Sequence, residues 1–237
     1  MAHISVLGLG NWGTAIARLW LLEGHKVKGW TIEQEVYESI TMEEINKKYL
    51  PDHPVPGLEV TMHLTEALEG SEIIVLAVPS SVIIDVAADV IPHLQPGHVL
   101  LDLAKGLAPG KRLISEAIQT QLKEAGKTNP LAVLTGPTIA PEAAGGVMTT
   151  ALVASEDHVI AKRLAQTLST ASFILHPASD PVGAELWGAF KNVVALACGL
   201  VDGLKQVGDL GGDNLKAAIF MSGFKEGCLL LAELGAR

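Results

Sequence analysis

Two lysines stand where lysine is uncommon. Lys191 lies in GAELWGAFKNVVALACGLVDG, a segment otherwise almost wholly small or apolar. Burying an ammonium carries a desolvation cost, which lowers its pKa and makes the neutral amine usable as a base. A lysine that snorkels to a wet edge of its helix fits the same pattern. Lys105, followed by the permissive Gly106, leaves the end of an apolar run. It can point into a cleft, or it can be solvated, as most lysines are. A third feature is Gly8-Leu9-Gly10-Asn11-Trp12-Gly13, between the apolar run Ile4 to Leu7 and a helix-forming segment. In this spacing Gly8 permits the sharp turn, Gly10 leaves room for a pyrophosphate at the backbone, and Gly13 lets helix and strand approach closely. The free N–H groups and positive dipole end of that helix favour phosphate. Glu33 follows at about the distance expected of a carboxylate that binds the ribose.

Two further turns carry polar groups past apolar runs. Ala77-Val78-Pro79-Ser80 can flank the nicotinamide half of a dinucleotide, or simply turn strand into helix with Ser80 as cap. Gly136-Pro137-Thr138, with Glu142 beyond it, can face a ligand or simply initiate a helix.

Elements that could position these groups follow from hydrophobic pattern and breakers. Strands are expected at Ile4 to Leu7, Lys26 to Trp30, Leu58 to Met62, Glu72 to Val78, Val99 to Leu103, Leu131 to Thr135, Thr149 to Ala154 and Phe173 to His176. The run EIIVLAV has the unbroken apolar character of a parallel strand covered on both faces. Helices are expected between them, with Gly24 closing the first. Further expectations are a long polar helix over 33–50, Thr65 as N-cap of a single turn, a helix over 111–125, and Ser155 as cap of a later one. The alternation implies an α/β fold with a Rossmann-like, doubly wound parallel sheet over 1–180. An incomplete all-α domain then follows over 181–237, because Val182 to Leu204 and Asp213 to Leu234 read as two long helices without an intervening strand. Both are apolar around much of their circumference, so a second copy of the chain, in a homodimer, is the expected cover.

At 49% hydrophobic and 18% charged over 237 residues, the chain can bury a large core. Its net charge of −9 disfavours nucleic acid and anionic membrane surfaces as partners. The start lacks a basic, apolar leader pattern, and the apolar stretch 186–201 is short for a membrane span and carries Lys191 and Asn192. A soluble, cytoplasmic protein is expected, with Cys198 and Cys228 as buried free thiols and no metal site.

Taken together, GLGNWGTAIA, NKKYLP (46–51), AVPS (77–80), AKG (104–106), GPTIAPE (136–142) and GAFKNVVALACGLVDGL (188–204) resemble bacterial-type NAD(P)-dependent glycerol-3-phosphate dehydrogenase, in order and spacing. The resemblance implies interconversion of sn-glycerol 3-phosphate and dihydroxyacetone phosphate, supplying phospholipid synthesis. By the same resemblance Lys191 is the general acid/base and Lys105 the second active-site lysine. Gly8, Gly10, Asn11, Trp12, Gly13, Glu33, Pro79 and Lys105 would hold NAD, with NADP as the other candidate. Lys105, Gly136, Thr138, Lys191 and Asn192 would face the phosphorylated substrate. The family continues past the point where this sequence stops, into a segment with an active-site aspartate and an Arg-Asn pair. Here Ser222, in FMSGF, stands where the family has arginine, and GDN (212–214) keeps only part of its glycine-asparagine pattern. A related hydroxyacid dehydrogenase, and a shortened chain that binds dinucleotide without turnover, are the rival readings.

Overall fold

The computed structural model describes residues 1–208 and 211–237. Strands β1 (His3–Leu7), β2 (Lys26–Trp30), β3 (Glu59–Thr61), β4 (Ile73–Leu76), β5 (Val99–Asp102), β6 (Leu131–Thr135), β7 (Thr149–Ala154) and β8 (Phe173–Ala178) join in one sheet. Their order is β3-β2-β1-β4-β5-β6-β7-β8. All pairs from β3 to β6 are parallel. β7 runs antiparallel to β6, and β8 follows β7 in parallel, so the sheet is mostly rather than wholly parallel. The turn-back has a local cause. The helix between β6 and β7, α6 (Ala140–Ala144), has only five residues. A parallel return needs a crossover that spans the sheet, usually a full helix.

Successive side chains of the central strands alternate between two cores. Ile4, Val6, Ile73, Val75 and Leu101 pack with Trp20 and Leu19 of α1 (Asn11–Leu22) and Leu164 of α7 (His158–Leu168). Leu7, Ile74, Leu76 and Leu100 pack with Ile83 of α4 (Ile83–Val90) and Ile118 of α5 (Ile114–Glu124). Each fully buried side chain of this size contributes roughly 1.5–3 kcal/mol, so the two cores, not helix propensity, fix the layers.

Several local expectations shift once tertiary partners are in place. The polar helix over 33–50 is only α2 (Gln34–Glu43), ended by Glu44 in the left-handed conformation. His63, not Thr65, precedes α3 (Leu64–Leu68). Pro141 rather than Pro137 opens α6. Ser155 Oγ donates instead to the Leu131 carbonyl, and Asp157 caps α7 by accepting from Val159 N. Gly24 ends α1 at φ +81°, as its sequence position implies.

α8 (Pro181–Gly208) and α9 (Asp213–Glu233) form an antiparallel pair of long helices. Trp187 stacks on Phe224 at 5.4 Å, and Gly227 lies against Trp187 and Phe190, where a Cβ would not fit. Only the N-terminal part of α8 is buried on the sheet; further along, Leu196 is 76% and Leu200 67% exposed, and on α9 Leu229 is 62% exposed. By length and composition α8 is long and apolar enough to cross a membrane, contrary to the shorter stretch delimited from sequence. Cys198 is half-buried and Cys228 exposed, so the two free thiols are not core residues.

Candidate functional site

The strand order reverses at β1, whose neighbours are β2 and β4. In such sheets the crevice at the reversal, beyond the carboxyl ends of the strands, is where ligands sit. Loops after β1, β4, β5 and β6 line a cavity of about 1070 Å³ there. Gly8, Gly10, Asn11, Trp12, Glu33, Pro79, Lys105 and Thr138 are on its walls, together with Tyr49 and Ser80.

The glycine loop is closely packed behind and open in front. Gly8 has φ +102° and would meet the Ala77 carbonyl if it carried a Cβ. Gly13 is buried, stands off the wall of this cavity, and has no room for a Cβ against the Gly8 carbonyl, which suits helix–strand packing. At Gly10 an added Cβ meets nothing within 4 Å. Gly10 is also the N-cap of α1 and supplies no side-chain acceptor to the first turn. Free N–H donors, a positive dipole end and an open backbone together suit a pyrophosphate, and the cavity is large enough for a dinucleotide.

The stretch 46–51 builds the rest of this end. Buried Asn46 donates through Nδ2 to the Leu9 carbonyl and to Thr14 Oγ1, both at 2.8 Å, and accepts from Tyr49 N. Leu50 packs with Ala15, Ala140 and Ala144. Lys48 Nζ donates to Glu33 at 2.6 Å and also to Glu35, and Tyr49 Oη donates to Glu33 at 2.9 Å. The Lys48 hydrogen bond, seconded by Tyr49, holds the Glu33 carboxyl below its ordinary pKa. Sequence reasoning gave no role to Asn46, Lys48 or Tyr49. The signals are the NKKYLP match to the family and a polar Asn-Lys-Lys-Tyr run ahead of a proline, neither of which reveals what the stretch folds against.

At the other end, Lys105 Nζ donates to Thr138 Oγ1 at 3.2 Å, tying the β5 loop to the β6 loop. Desolvation by the cavity wall, and then the charge of Lys191, lower the Lys105 pKa. Lys191 itself lines a neighbouring hollow of about 240 Å³ with Thr135, Gly136, His176, Trp187 and Gly188. Gly136 and Pro137 belong to this hollow and Thr138 to the large cavity, so the two adjoin along the end of β6. Lys191 is half-buried, whereas Asn192 is exposed and lines neither hollow. His176 carries no sequence signal as a site residue; it shares the hollow with Lys191 because α8 packs on β6 and β7, next to β8.

Beneath the Lys105 loop, Asp102 is fully buried. Its Oδ1 accepts from Ala104 N, but among the described residues Oδ2 has no partner. Burial, and secondarily the nearby Glu185, push its pKa well above the carboxylate range. A carboxyl whose folded pKa exceeds its unfolded one loses stability as pH rises from the unfolded value towards the folded one. Asp102→Asn is therefore expected to stabilise the fold at pH 8 by at least ~1 kcal/mol. The gain should disappear below pH ~4, where aspartate is neutral in both states. Urea unfolding across this pH range measures it, and an equal effect at both ends would mean that the Asp102 pKa is not raised in the fold.

Comparison with known proteins points the same way. The family model described as NAD-dependent glycerol-3-phosphate dehydrogenase N-terminus matches residues 3–161, and the corresponding C-terminus model matches residues 180–237. The chain is 39% identical to glycerol-3-phosphate dehydrogenase [NAD(P)+] of Exiguobacterium sp., covering 100% of this chain and 68% of that protein. It is 40% identical to the protein of the same name from Rhodospirillum rubrum, covering 99% and 65%. The crystal structure of glycerol-3-phosphate dehydrogenase from Coxiella burnetii superposes with a TM-score of 0.88 at 33% identity, over 100% of this chain and 70% of that one. The chain thus spans about two thirds of the length of the relatives it matches.

Proposed function

The chain belongs to the NAD-dependent glycerol-3-phosphate dehydrogenase family, and from that premise we propose that it interconverts sn-glycerol 3-phosphate and dihydroxyacetone phosphate with a nicotinamide cofactor. The observation that carries the proposal is the convergence of two lysines. Lys105 and Lys191 are far apart in sequence, yet they face adjoining hollows and the charge of one is felt by the other. A dinucleotide would lie along the large cavity, its pyrophosphate against Gly8 to Trp12 and its nicotinamide half towards Pro79 and Lys105. When bound, the nicotinamide supplies the hydride acceptor or donor.

The protein's own groups handle the proton and the charge. In oxidation of the alcohol, the neutral Lys191 amine takes the proton from the secondary hydroxyl as the carbonyl forms. In reduction, the Lys191 ammonium returns that proton to the carbonyl oxygen. Lys105, held by Thr138, stabilises negative charge on that oxygen or on the substrate phosphate. Lys105, joined by Lys191 in its ammonium form, suits a doubly charged phosphate ester inside an otherwise acidic protein. Gly136 and Thr138 shape the wall between the hollows, and Asn192 is assigned to the substrate side on family resemblance alone.

Glu33 favours NAD, because its carboxylate would repel a 2′-phosphate on the ribose. The division of labour is a dinucleotide-binding part over 1–180 and a helical substrate part over 181–237. We further assign the protein to the cytoplasm, to the supply of glycerol 3-phosphate for phospholipid synthesis, and to a homodimer in which a second copy covers the exposed face of α8 and α9. Oxidation of NADH by the purified chain with dihydroxyacetone phosphate tests the reaction, and light scattering on the same preparation tests the dimer. No substrate-dependent oxidation would overturn the enzymatic reading in favour of dinucleotide binding alone. Faster oxidation of NADPH would overturn the role given to Glu33, and a monomer at micromolar concentration would overturn the dimer.

A further inference from the structure

Glu185, on α8, is buried at 3% exposure and points into the Rossmann part of the molecule. Its carboxylate accepts from Ile114 N at 2.5 Å, from Ser115 N at 3.3 Å and from Ser115 Oγ at 2.5 Å. These are the first residues of α5, a helix whose own N-cap, Leu113, offers no side-chain acceptor. The first N–H groups of a helix need such an acceptor, and here it comes from 70 residues away. A buried carboxylate is a costly cap, since its desolvation is repaid only by well-formed hydrogen bonds, and a nearby serine or aspartate would serve α5 alone as well. The distinctive consequence of this choice is the link it makes between two elements.

One of them, α8, carries Lys191, and the other, α5, ends the loop that carries Lys105. The loop holding Lys105 leaves β5 and ends where α5 begins, at the donors that Glu185 grips. Lys191 lies six residues beyond Glu185 on the same helix, about 9 Å along its axis. Contacts on either side of Glu185 seat this part of α8. Asp180 accepts from Gly183 N at the start of α8, and Gly188 sits against Thr135 of β6 with no space for a Cβ. We propose that Glu185 is a positioning residue, whose carboxylate clamps the lysine-bearing loop after β5 and the lysine-bearing turn of α8 into one geometry. The inference rests on the roles given above to Lys105 and Lys191.

Glu185→Gln in the full chain tests it, because glutamine keeps the shape but turns a donor pair towards donors. NADH affinity should change far less than kcat, since the glycine loop and its pyrophosphate contacts are untouched, while kcat should fall on the order of tenfold or more from misplacement of the lysines. In a Lys191→Met background the same change should cost severalfold less in kcat, because only the misplacement of Lys105 remains to be felt. A merely structural residue would cost the same factor in both backgrounds, and that result overturns the proposal. A second readout does not depend on turnover. Lys105 and Lys191 should be joined by a short bis-amine-reactive cross-linker in the wild type, read by mass spectrometry, and severalfold less in Glu185→Gln. The Lys205 to Lys216 cross-link serves as internal control. An unchanged Lys105 to Lys191 yield overturns the proposal. A wild type without turnover would sink the enzymatic function and leave the cross-link to judge the geometry. Should Glu185→Gln fail to fold, Ser115→Ala removes one of the three bonds; wild-type rate and cross-linking in that variant would likewise overturn the proposal.

Discussion

Lys191→Met is expected to lower kcat by about 10²-fold or more while leaving NADH affinity nearly unchanged. Methionine matches the length of the lysine stem and fits among Trp187, Gly188 and Thr135, so the change removes the amine and little else. The substrate hydroxyl would then have no group to take its proton, and the carbonyl oxygen no group to return one. Dinucleotide contacts are unaffected, because Lys191 lines the smaller hollow and not the cavity beside the glycine loop. Steady-state rates with dihydroxyacetone phosphate, alongside fluorescence titration of NADH, measure the two effects separately. Wild-type turnover in the variant would remove Lys191 from the chemistry and leave it a lysine that snorkels to a wet edge.

The second large effect is expected at the opposite end of the site. Gly10→Val should weaken NADH binding by about 100-fold or more, equivalent to roughly 3 kcal/mol. The thermal midpoint should barely move, because the space beside Gly10 is empty of protein atoms. The branched side chain would instead fill the approach to the free N–H groups at the start of α1. Gly13→Ala provides the contrast. There the new Cβ collides with the Gly8 carbonyl, so folding itself should suffer before binding can be measured. Two glycines three residues apart thus separate ligand space from packing space. A Gly10→Val protein that binds NADH normally would take the loop out of the cofactor site.

Part of this protein was determined by local sequence alone. The strands β2, β6 and β7 begin and end where pattern and breakers put them, because short alternating or apolar runs between turn residues have few other places to go. The glycine loop was equally legible, since a spacing of glycines against a strand and a helix is itself a geometric statement. The two long helices of the C-terminal part followed from composition. What tertiary structure decided were the contacts that join distant segments. The reversal of β7 depends on how little chain α6 offers for crossing the sheet. Asn46, Lys48 and Tyr49 acquire their meaning only from the loop and the Glu33 carboxylate they fold against. The start of α5 is set by a carboxylate from α8, so a helix boundary expected at residue 111 moved to Ile114. Likewise, the sequence could only offer Lys191 as buried or snorkelling, because burial is a property of neighbours and the neighbours come from β6, β7 and β8. Local pattern fixes what a segment can be; which polar groups are left facing one another is fixed only when the layers close.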